Sequence, residues 1–236
     1  MAMCTVVVEV PDRPDQPTRV LAVRDEDPLR PWDPPERWWP DTHPDLLGVR
    51  DRRAGGAWLA YAPARGTLAV LVNRATPPLD PADASESRGF LPLAAIAGEP
   101  LPGRPRTEGF NLIEVDGGRS RVTSWDGDRL SREELAPGVH MIAHDDVDDL
   151  RTARIRRWLP EFSALAGSPR STWRESWLQV LRTSTELGAL DDRAIIRDNR
   201  PYGIPTMSLL ICVAEVGKGG VDLDAIVLPK PGEWAG

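Results

Sequence analysis

A thiol at Cys4 and a compact run of charge at Arg24-Asp25-Glu26 are the groups in this 236-residue chain whose types could do chemistry together. A cysteine attacks as its thiolate, and a neighbouring guanidinium favours that form. The competing reading of a lone cysteine is a small buried hydrophobe at the start of a strand. A nucleophile at the head of a chain can use its own α-amino group as the base. Met1, Ala2 and Met3 precede Cys4 here, so its nitrogen is an amide; a start at Met3 followed by ordinary methionine removal would free it.

Other constellations are weaker. His140 and His144, followed by Asp145 and Asp146, have the i,i+4 spacing of a metal pair on a helix. Their apolar neighbours alternate as in a strand and the Glu of a protease motif is missing, so no metal site is expected. No Gly-x-Ser-x-Gly elbow and no phosphate-binding glycine loop is present.

Two strands must bring Cys4 to its charged neighbours. Cys4 to Val10 and Arg19 to Val23 are apolar runs separated by Pro11-Asp-Arg-Pro-Asp-Gln-Pro17, whose residues favour a reversal and cannot continue a ladder. A hairpin then sets Cys4 across from the stretch Val23 to Glu26. From Asp27 to Asp41 five prolines point to a long loop, with Trp32, Trp38 and Trp39 either folded over the core or forming an aromatic wall beside a pocket. Ala57 to Tyr61 and Thr67 to Asn73 form a second hairpin with Asn73 at its open end, and Phe110 to Val115 with Arg121 to Trp125 form a third around Asp116-Gly-Gly. Ser85 to Ala97 suits a short helix. Ser131-x-x-Glu134 matches a capping box, but Pro137-Gly138 follows too closely for a helix. Val139 to Ala143 reads as a strand. Val147 to Trp158 repeats apolar residues at helical intervals until Pro160 should end or kink it, and Thr172-x-x-Glu175 opens a helix with Trp173, Trp177 and Leu181 on one face. Met207 to Ala214 is a buried strand, and Val221 to Leu228 returns beside it. The order implies antiparallel sheets covered by helices in one α+β domain spanning 1–236.

A net charge of -7 argues against a nucleic-acid partner. Two cysteines make no disulfide framework, no segment reads as a secretory signal or membrane insertion, and the chain is expected to be cytoplasmic. The 24 prolines predict stiff, irregular connections.

Several short motifs in a shared order resemble the NRDE family, the group that includes Transport and Golgi organisation protein 2. They are Met3-Cys4, Leu21-Ala-Val-Arg-Asp-Glu26, Gly55-Gly-Ala-Trp-Leu-Ala60, Leu71-Val-Asn-Arg74, Ser87-Arg-Gly89 and Gly109-Phe-Asn-Leu112. The resemblance implies a four-layer αββα sandwich of the N-terminal nucleophile hydrolase kind, similar to cysteine acylases that cleave amides. Carried over by motif, Cys4 is the nucleophile, Arg24 and Asp25 its supports and Asn73 an oxyanion donor; Trp58, Asn111 and His144 take substrate-binding positions. Val23, His144 and Pro205 stand where the family pattern has Asn, Asn and Arg, which implies a degenerate amidohydrolase site. The alternative reading is a small-molecule carrier, with haem as its ligand on His140 or His144; no other cofactor is expected.

Overall fold

In the computed structural model of the chain, residues 4–76, 86–230 and 232–234 are described, and strands and helices are numbered in chain order. Met3 and Ser85, which open one motif and one expected helix, lie outside those residues. The proline-rich turn does reverse the chain, and β1 (Thr5–Val10) pairs antiparallel with β2 (Thr18–Glu26) from Glu9↔Arg19 to Thr5↔Val23. A five-stranded sheet grows from this hairpin in the order β10-β1-β2-β11-β12, using β10 (Gly138–Ile142), β11 (Met207–Gly217) and β12 (Gly220–Val227).

The seven-stranded second sheet is an antiparallel meander. It runs in sequence order through β3 (Trp32–Glu36), β4 (Leu47–Asp51), β5 (Ala57–Ala62), β6 (Thr67–Asn73), β7 (Phe110–Asp116), β8 (Arg119–Trp125) and β9 (Leu130–Glu134). Alternation along the strands sorts the side chains into three layers of core. Val6, Val8 and Ala22 from the first sheet meet Leu59, Val70 and Ile113 from the second, which makes a sandwich. Val7, Leu21 and Val23 face the other way, onto α2 (Ala153–Ser163) and α3 (Trp173–Thr185) through Ile155, Trp158, Phe162, Trp173 and Trp177. The outer face of the second sheet packs Ala60, Ala69 and Leu112 against the short α1 (Leu91–Ala97).

Two local expectations are corrected. The stretch Asp27 to Asp41 is not all loop, because Trp32–Glu36 forms β3 at a sheet end, paired only with β4 and irregular between Asp33 and Glu36. Proline is compatible with a strand whose donors face outward. The capping-box pattern opens no helix, in line with the proline and glycine after it, and lies in β9, beside β8. The helix expected from Val147 starts at Ala153 and continues through Pro160. Asp148 delays it, since its carboxylate accepts the Met141 N–H at 2.7 Å and its backbone takes φ 55°. Proline removes one helical bond, but the buried Trp158 and Phe162 on either side hold the helix against the sheet.

Candidate functional site

The register that sets Thr5 against Val23 leaves Cys4 across from Arg24 at the open end of the hairpin. Cys4 is buried, its Sγ accepts the Asp25 N–H at 3.3 Å, and the thiol faces the Asp25 carbonyl at 3.5 Å. Burial pushes the thiol up to about 12, with the Asp25 carboxylate adding to the rise, while the Asp25 N–H and the Arg24 guanidinium pull the other way. On the order of one thiol in 10⁵ is then ionised at neutral pH, so the group needs a base to react.

Cys4 lines a cavity of about 670 Å³ that also takes in Arg24, Asp25, Trp58, Asn73 and Pro205. The hairpin supplies Cys4, Arg24 and Asp25; the second sheet supplies Trp58 from β5 and Asn73 from the end of β6. A wall is fixed by backbone on backbone: a Cβ on Gly56 would fall 2.3 Å from the carbonyl carbon of Gly89, so Ser87-Arg88-Gly89 lies directly on the start of β5. Arg88 reaches in from that loop and is held by the Gly109 carbonyl at 2.9 Å and the Glu108 carboxylate at 3.2 Å.

Polar atoms without partners gather here. Arg24 is 2% exposed, stacks its guanidinium on Trp32 at 5.4 Å, and makes one long contact of 3.4 Å from Nη2 to Glu26. Its Nε and Nη1, the Trp58 indole nitrogen and Asp25 Oδ2 are buried with no hydrogen-bond partner among the described residues. Asp25 Oδ1 accepts the Ser208 hydroxyl at 2.6 Å. A bulge in β11 between Ser208 and Leu210 lets Ser208, rather than Leu209, stand across from Asp25. Burial raises the Asp25 carboxyl to about 6, against the opposing pull of Arg154, the Ser208 hydroxyl and Arg197.

Asn111 and His144 are not among the residues lining the cavity. Asn111 ties β7 to the segment after β10, donating to the Ala143 and Asp145 carbonyls at 2.9 and 2.8 Å and accepting from Ser124 and Arg74 at 2.8 and 3.2 Å. His144 Nε2 lies 3.4 Å from Asp145 Oδ2, Nδ1 is buried without a hydrogen-bond partner, and burial and Arg154 lower its pKa. Both ring nitrogens of His140 are engaged, at 2.8 Å by Asp148 and at 2.8 Å by the Ala136 carbonyl, so a metal would have to break one of those bonds to bind it.

The Transport and Golgi organisation 2 family model matches residues 3–200. The chain belongs to this family. No curated protein matches the sequence. The matched region carries the Cys4, Arg24-Asp25, Trp58 and Asn73 stretches, whereas Pro205 and Thr206 line the cavity from beyond it. Of the positions where the resemblance expected another residue, Val23 faces the helix layer and Pro205 the cavity. Sequence reasoning missed Arg30, Asp51 and Arg88 in the lining, although Arg88 stood inside a recognised motif. It also missed Arg154 and Arg197, buried near Asp25; Arg154 sits beside Ile155 on the apolar face of α2, and no sequence signal marks Arg197.

Proposed function

We propose that this cavity is an amidohydrolase site of the N-terminal nucleophile kind, dormant while a peptide precedes Cys4. The observation that carries the reading is Asp25: a fully buried carboxylate whose Oδ2 makes no hydrogen bond of normal geometry, the Asn199 amide being near enough only to pull the carboxyl's pKa down, on the residue whose backbone N–H holds the Cys4 sulfur. A freed α-amino group on Cys4 would supply the missing donor and the missing base together.

The chemistry then balances with residues already in place. The neutral amine takes the thiol proton, and the thiolate adds to an amide carbonyl, forming a C–S bond. Asn73 donates to the oxygen that becomes negative. The ammonium returns its proton to the leaving nitrogen as the C–N bond breaks, and water, deprotonated by the same amine, hydrolyses the thioester. Arg24 favours the thiolate through its charge. Pro205 supplies neither charge nor donor to the cavity it lines, which narrows the substrates the site could hold.

The test compares protein beginning at Cys4 with protein beginning at Met1, both treated with iodoacetamide at neutral pH, with the label located by peptide mass spectrometry. The Cys4 form is expected to alkylate at Cys4 at least about tenfold faster, and to release nitroaniline from N-phenylacetyl-4-nitroaniline in a manner abolished by Cys4→Ala. Equal alkylation rates in the two forms would sink the reading.

A further inference from the structure

Unspent donors in the cavity outnumber unspent acceptors. Arg24 Nε and Nη1 and the Trp58 Nε1 are buried donors without a partner, while Asp25 Oδ2, adjoining Cys4, is the one such acceptor among the described lining residues. A buried guanidinium with two idle nitrogens, carrying three N–H bonds between them, is costly unless something accepts from it. Stacking on Trp32 covers a face of the group but satisfies none of its in-plane donors. The other cavity arginines are occupied: Arg30 with Asp51 at 2.9 Å, Arg88 with Glu108 at 3.2 Å, Arg74 with Asp146 at 2.5 Å.

We infer that Arg24, backed by Trp32 and helped by the Trp58 indole N–H, is the anchor for a singly charged carboxylate on the ligand of this cavity. A carboxylate offers about four lone-pair sites and no donor, which suits a cluster of donors alone. Charge-assisted bonds of this kind are about twice as strong as neutral ones. Four guanidinium groups and six carboxyl groups line the cavity, so a doubly charged phosphate would meet about twice the repulsion that a single carboxylate meets at the same donors. Glu26, at 3.4 Å from Nη2, is the internal competitor for the same guanidinium.

The inference rests on reading this cavity as a substrate site, but its test requires no turnover. Phenylacetate, phenylacetamide and phenyl phosphate are titrated by calorimetry into the intact full chain and into Glu26→Gln and Arg24→Met variants, with folding followed by circular dichroism. Phenylacetate is expected to bind about tenfold more tightly than the other two, more tightly still in Glu26→Gln, and undetectably in Arg24→Met. Should Arg24→Met fail to fold, the sign of the Glu26→Gln change decides, because a competitor's removal must strengthen binding. Equal binding of phenylacetamide, stronger binding of phenyl phosphate, no binding of phenylacetate at millimolar concentration, or no gain in Glu26→Gln would each overturn the inference. Phenylacetate binding beside an unactivated Cys4 would remove the proposed chemistry alone, and an activated Cys4 without carboxylate preference would remove the anchor alone.

Discussion

The same three strands, β1, β2 and β11, end in opposite ways. At the end next to the hairpin turn, Glu9 and Glu215 are buried beside a partly buried Arg19, and of their side-chain atoms Glu215 Oε1 is left without a hydrogen-bond partner, 3.9 Å from Arg19 Nε. Arg19 meets Glu9 at 3.1 Å, the Ser168 carbonyl at 2.6 Å and the Trp173 ring at 5.1 Å; Glu9 also accepts the Gly167 N–H at 2.6 Å, and Glu215 takes Arg170 at 2.7 Å. At the open end Arg24 and Asp25 are at least as deeply buried, yet two guanidinium nitrogens and a carboxylate oxygen find no hydrogen-bond partner. Burying charge is expensive in both places, and the first end recovers more of the cost within the chain. On the proposed reading the difference separates a structural ion cluster from a site: what the fold leaves unsatisfied is what a ligand or a new terminus would complete.

The contrast breaks most visibly in stability. Arg19→Met should cost about 3 kcal/mol in urea denaturation because it strands Glu9, whereas Arg24→Met should stay within about 1 kcal/mol of the parent. Equal losses would mean that the two ends are built alike. Asp25 gives a second handle. Its folded-state value of about 6 exceeds its ordinary 3.8, so the folded protein holds the extra proton between those values, and stability contributed by that proton is lost as pH rises through the window. The span amounts to about 3 kcal/mol at most, and Asp25→Asn should flatten the parent's slope there; an unchanged slope would show Asp25 to be better solvated than its burial implies. His140 supplies the smallest effect, and with the opposite origin. Two acceptors hold its ring in the charged form and raise its pKa, so its contribution is complete below the ordinary value near 6.5 and fades as pH rises through the raised one. A difference of under about 1 kcal/mol between parent and His140→Gln at acid pH, vanishing at alkaline pH, is expected.

The hairpin, and with it the meeting of Cys4 and Arg24, was legible because the prolines and aspartates between Val10 and Thr18 leave a reversal as the simple outcome, and strand register follows from a reversal. α3 was legible because Trp173, Trp177 and Leu181 repeat on one face. β3 was hidden, since proline argues against strands in general and only the finished sheet shows which strand lies at its end. Pro160 left two outcomes open, a stop or a kink, and the stop did not occur: the helix runs on to Ser163, with Trp158 and Phe162 buried on either side of the proline. Within the site, residues on the hairpin could be placed from pattern, while Arg30, Asp51 and Arg88 come from segments far apart in the chain and carry no periodicity that would point them to one cavity. Buried arginine is the hardest case, because arginine is ordinarily exposed, while Arg154 in α2 and Arg197 before β11 are each 1% exposed.

The contact between Gly56 and Gly89 limits how the cavity could ever be enlarged. Both walls are already at the smallest residue there is, and a methyl on Gly56 would meet main-chain atoms rather than a yielding side chain. Protein engineers seeking room for bulkier compounds would therefore gain nothing by trimming at this seam. They would have to reshape Trp58 or Leu71, or change the number of residues in the Ser87-Arg88-Gly89 loop, and divergence in substrate size among related chains should follow insertions there more readily than point substitutions.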